Sequence, residues 1–156
     1  MSVTSPEGRF EEYERWCAAG AAFPGVCALG KGLRSVLGEE RSAFRRELKR
    51  RVKPEVLSDA AVEATARWRS AMRIMSIGSK FDEDELLLIL TSRQQIELVM
   101  DVLTVFGIAV ADIELAKVDT ELREIAASKE NRRAFLRALS AIQRNGDTEV
   151  VDLWSR

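Results

Sequence analysis

Apolar residues recur along this chain at intervals of three and four, the spacing of one face of a helix. Ser5 and Pro6 read as an N-cap and a first helical residue, and Phe10, Tyr13 and Cys17 follow as the first stripe. Phe23-Pro24-Gly25 reads as a turn. Val26, Leu29, Leu33, Val36 and Leu37 form a second stripe. Gly30 and Gly32 each weaken that helix by roughly 1 kcal/mol, which predicts a frayed end, and Gly38 closes it. Glu39 to Lys53 predicts a third helix with Phe44, Leu48 and Val52 turned inward. Pro54 then removes Lys53 from helical geometry. A long pattern runs from Asp59 to Ile77, with Ala61, Ala64, Trp68, Met72 and Met75 along one side and Gly78 at its end.

The clearest helix start is Asp82 with Glu85 three residues later and Phe81 facing Leu86, a capping box with a hydrophobic staple. Leu86–Leu90 continues as buried helix, and Ile96, Val99, Met100, Leu103 and Phe106 carry the stripe to Gly107, with Ser92 and Gln95 as a possible restart. Leu115, Val118, Leu122 and Ile125 form another face after Asp112. Ser128 caps a last helix with Phe135, Leu139 and Ile142, closed by Asn145-Gly146, and Thr148–Trp154 reads as a short tail. No run alternates with the period of two that strands require. The expectation is an all-α fold: a four-helix-bundle core with extra short helices and extended termini, residues 1–156 forming a single domain.

Composition narrows the chemistry. With 156 residues, 46% hydrophobic and 31% charged, the chain has the balance of a globular domain that needs no metal or disulfide to hold a core. It has no histidine, so the commonest general base and metal ligand is missing, and neither a Ser-His-Asp nor a Cys-His arrangement can form. Cys17 and Cys27 have no ligand or redox spacing and read as core residues of a protein in a reducing compartment. Gly30-Lys31-Gly32 lacks the spacing of a phosphate loop. The acids Asp82 to Glu85 suit a helix N-terminus, with a divalent cation as the alternative. The N-terminus lacks the basic and apolar regions of a signal peptide, and no apolar segment is long enough to cross a bilayer. No cofactor, no metal, no membrane partner and no enzymatic activity are expected.

Net charge is -1, yet it is unevenly distributed. Lys31 to Lys53 holds nine Lys/Arg against three Glu, whereas Asp82 to Glu130 holds twelve Asp/Glu against four Lys/Arg, which predicts two electrostatic poles. Arg41, Arg45 and Lys49 fall at i, i+4 and i+8, with Arg46, Arg50 and Lys53 beside them. Such a row tracks phosphates without reading sequence; alternatively it is a solvated face offset by Glu39, Glu40 and Glu47.

In order along the chain, several segments resemble the coat proteins of rod-shaped plant viruses of the tobamovirus type. They are Thr4-Ser5-Pro6 with Phe10 and Trp16, Cys27-Ala28-Leu29-Gly30, Arg41 through Lys53-Pro54, and Leu86–Glu97 with Thr91-Ser92-Arg93 and Ile96-Glu97. Ala116-Lys117-Val118-Asp119-Thr120, Phe135–Gly146 and Leu153-Trp154 complete the series. Gln94 and Gln95 stand where the family has a second arginine, only Asp119 represents its paired aspartates, and Val56–Ile77 reads as helix where the family has short strands and a turn. The resemblance implies a subunit that assembles with copies of itself into a helical rod around single-stranded RNA, a virion component assembled in the host cytoplasm. It implies phosphate contacts at Arg41 and Arg93, with Lys117 and Asp119 near the nucleotides, and a carboxylate at Glu97 that repels another across a subunit boundary; the basic row adds Arg46 to the expected RNA contacts. Arg41→Ala or Arg93→Ala would then weaken RNA packaging while leaving the subunit folded. The rival expectation is a small helical adaptor that binds another protein and no nucleic acid; a carboxylate-dependent enzyme is the third.

Overall fold

In a computed structural model, residues 5–144 are described. They form seven α-helices and no strand, as the periodicity predicts. The Asn145-Gly146 cap, the Thr148–Trp154 tail and Thr4 lie outside the described residues. In order, the helices are α1 (Pro6–Ala18), α2 (Ala22–Ser35), α3 (Gly38–Arg51), α4 (Pro54–Ile77), α5 (Glu83–Val105), α6 (Leu115–Ala127) and α7 (Arg132–Arg144). The described residues divide into two compact units, 5–66 with 95–112 and 67–94 with 113–144. The helices α4 and α5 are each about six turns long and give one half to each unit.

In the first unit, the Ser5 hydroxyl accepts the Gly8 N–H at 3.1 Å and Pro6 opens α1. The turn expected at Phe23-Pro24-Gly25 is instead the first turn of α2. A proline there removes only an N–H that lacks an intrahelical partner anyway. Nor does α2 fray at its glycines. A Cβ on Gly30 would lie 2.5 Å from the Leu98 carbonyl oxygen, and one on Gly32 would lie 2.7 Å from the Phe44 ring. Both are buried where the helix meets α5 and α3, so the loss in propensity is offset by close packing. The Phe10 and Phe44 rings pack tilted by 37°, with centroids 5.1 Å apart. Buried Val26, Leu29, Leu33, Leu48 and Val52 match the predicted stripes, while Leu37 is exposed in the link before α3. Cys27 is buried, its thiol 3.6 Å from the Gln95 carbonyl oxygen, and both cysteines are free.

In α4, Pro54 is the first residue, so the helix begins five residues before the predicted Asp59. Of the predicted stripe, Ala64 and Met75 are buried, and Leu57, Ala60 and Ala71 join them. The second unit packs Phe81, Leu86, Ile89 and Leu90 against Val118 and Leu122 of α6 and Phe135, Leu139 and Ile142 of α7. The capping box forms as predicted: the Asp82 carboxylate accepts the Glu85 N–H at 2.8 Å, and Glu85 accepts the Asp82 N–H at 3.2 Å. From there α5 runs unbroken past Ser92 and Gln95, so no restart occurs. Buried Asn131 precedes α7. Its Oδ1 accepts the Phe81 N–H at 2.8 Å and its Nδ2 donates to the Ser79 carbonyl at 2.9 Å, which pins the segment leading into α5.

Candidate functional site

The basic residues of the first unit separate into those that have partners and those that do not. Arg34, in the last turn of α2, donates to Asp101 at 2.6 Å and to Glu97 at 2.8 Å. Arg51 pairs with Glu7 and Glu14, lies 4.2 Å over the Phe10 ring, and is thereby tied to α1. Arg50 pairs with Glu47 at 2.7 Å on the surface of α3. Its guanidinium in turn holds the Glu47 carboxyl below the usual range, chiefly through that hydrogen bond.

Arg41, Arg45 and Lys49 are different. They line one cleft of about 340 Å³ with Leu33, Asp101, Thr104 and Val105. Among the described residues none of the three has an ion-pair partner, and the carboxylate that shares the cleft, Asp101, is already engaged by Arg34. The Arg41 Nε is buried with no hydrogen-bond acceptor. The helix places the three charges on one face, each rising about 6 Å from the last. A row of this kind meets a polyanion at successive points. Its local positive potential also favours a strand whose charges repeat along its length. Arg46 is exposed on α3 outside this cleft, likewise without a partner among the described residues.

Arg93, Lys117 and Asp119 belong to the second unit. Arg93 was expected at a phosphate, but it is only 7% exposed. Its Nε and one terminal nitrogen donate to the two Asp119 oxygens at 2.8 and 3.0 Å. This fork-to-fork geometry is the strong form of the pair, and it joins α5 to α6 inside the unit. Arg93 therefore offers no open face to a phosphate, and Asp119 is occupied by it. Truncating Arg93 would damage the fold, contrary to the expectation that the subunit stays intact. Lys117, in the first turn of α6, is exposed. Glu97, expected to confront a like charge at a subunit boundary, is paired within its own chain with Arg34, which it shares with Asp101.

Among the described residues no group of three His, Cys, Asp or Glu side chains could hold a metal ion, and no helix there is long and apolar enough to cross a membrane. The Cys17 thiol is pushed up by burial, against a weaker downward pull from its hydrogen bond to Tyr13, and so is a poor nucleophile at neutral pH. Sequence reasoning singled out the α3 row but missed Arg34. The decisive signal was the position of Glu97 and Asp101 one turn apart on α5, which becomes meaningful only once α2 lies against it. Compared with family models, curated proteins and solved structures, the chain matches none.

Proposed function

We propose that this chain is a structural protein that binds the phosphate backbone of single-stranded RNA along the Arg41–Lys49 face of α3 and assembles with copies of itself. The order of motifs that resembles rod-shaped virus coat proteins suggests a helical assembly. The observation that carries the reading is the cleft in which Arg41, Arg45 and Lys49 stand without acidic partners while neighbouring Arg34, Arg50 and Arg51 are all engaged. Unpaired cations held in a row on one helix face lose little by trading water for phosphate oxygens, and counterion release from the RNA adds to the affinity. The contact is independent of sequence, since none of these groups is positioned to read base edges. Arg93 and Asp119 have no part in the contact; they hold the second unit together.

The test is electron microscopy in negative stain at mildly acidic and mildly basic pH, with and without single-stranded RNA, of the native chain and of Arg41→Gln/Arg45→Gln/Lys49→Gln. Discs or rods that lengthen with RNA in the native chain, and lose RNA in the triple variant, support the proposal. A uniform small particle under every condition would instead indicate an adaptor that binds protein.

A further inference from the structure

The last helix carries a second concentration of positive charge. Within α7 are Arg132, Arg133, Arg137 and Arg144 and no acidic residue. Its apolar face is fully engaged in the second unit, where Phe135, Ala138, Leu139 and Ile142 are buried. On the opposite side Arg133, Arg137 and Arg144 line one open cleft of about 480 Å³ together with Leu136, Ser140 and Glu83. Among the described residues none of these three arginines has an ion-pair or hydrogen-bond partner, although the Glu83 carboxylate shares the cleft. Leu136 lies between them and is 53% exposed.

We propose that this face of α7 is a second binding surface for the backbone of the same single-stranded RNA, an inference that rests on the RNA-binding reading of α3. Arg133 and Arg137 are separated by about 6 Å along the helix axis, and Arg137 and Arg144 by about 10 Å. The three guanidinium groups thus form a row rather than a convergent cage. A row suits a polymer with repeating charge better than one small anion. Guanidinium is weakly hydrated and donates in a fork that matches phosphate oxygens. Leu136, exposed between Arg133 and Arg137, supplies an apolar contact for a ribose or the face of a base. An anionic lipid surface is a poorer fit, because the apolar residues that a membrane-bound helix would insert are in the core. With three cations against one carboxylate, the cleft retains a net positive charge.

The experiment measures affinity for fluorescent oligouridylate by anisotropy over a range of salt concentrations. It compares the native chain, Arg133→Gln/Arg137→Gln/Arg144→Gln, and the triple glutamine variant of α3. Each phosphate contact on a single strand contributes about 0.7 to the slope of log K against log salt. Loss of three contacts on α7 should therefore reduce the magnitude of that slope by about 2. Affinity in low salt should fall at least tenfold, with helix content by circular dichroism unchanged. The single variants Arg133→Gln and Arg137→Gln, which disturb the fold less, should each lower the slope by about 0.7. An unchanged slope in the α7 variants, with binding abolished in the α3 variant, overturns this inference and leaves the proposed function standing. A native chain that binds no oligouridylate overturns both. Equal affinity for polyglutamate and oligouridylate would reassign the face to acidic protein segments.

Discussion

Arg93 and Asp119 lie in the second unit with side chains 8% and 16% exposed, and each has become the other's solvent. Breaking such a pair leaves an uncompensated charge, so Asp119→Ala should lower stability by about 3 kcal/mol, read as a fall in the urea midpoint. A loss below half that figure would show that Arg93 reaches water or another acceptor easily. Tyr13, buried in the first unit, makes a prediction in pH. Its ordinary value is 10.0, and burial, aided by the neighbouring Cys17, pushes it up to about 12. Between those values the unfolded chain has lost the phenol proton and the folded chain still holds it. The stabilisation is complete below about pH 10 and disappears as pH rises through about 12. Native protein should therefore lose stability over that interval more steeply than Tyr13→Phe. Equal slopes in urea titrations of the two would contradict the assignment. From sequence, Tyr13 was legible as an inward residue. Its altered titration was not, because that depends on what packs around the hydroxyl.

At the level of the helix, local chemistry was readable where the interacting groups are near in sequence. Asp82 and Glu85 bond reciprocally as their spacing predicts, and Asp82→Ala should destabilise by about 1 kcal/mol. Gly107, with a φ of 70°, ends α5 by a Schellman pattern: its N–H bonds to Thr104 and the Ile108 N–H to Leu103, both at 3.0 Å. Gly30 and Gly32 misled the reading for the opposite reason. Propensity treats a mid-helix glycine as a weakness, but the partners that make it an advantage, Leu98 on α5 for Gly30 and Phe44 on α3 for Gly32, lie on other helices. Alanine at position 30 would gain about 1 kcal/mol of helix propensity and force a Cβ against a backbone oxygen that cannot rotate away. Overpacking of that kind costs about 1–3 kcal/mol, so Gly30→Ala should lower the melting temperature. A rise would mean that α2 can move away from α5 without loss.

For the molecule as a whole, charge placement bears most on function. Since Glu97 is paired with Arg34 within the chain, Glu97→Gln should leave the pH dependence of any self-assembly unchanged, as followed by sedimentation between pH 5 and pH 9. A shift would restore Glu97 as a boundary carboxylate. The all-α architecture, the capping box, most inward-facing residues and the α3 row were determined by the sequence alone. They follow from helical periodicity and from groups within a turn or two of one another, where backbone geometry leaves few choices. Only the tertiary structure decided which cations remain available. It buried Arg93 against Asp119, engaged Arg34 and Arg51, and left Arg41, Arg45, Lys49 and the arginines of α7 open. Pairing between charges far apart in sequence is set by which helices pack together. That packing is driven by apolar burial, so the fate of each charge follows from the core rather than from its own position in the chain.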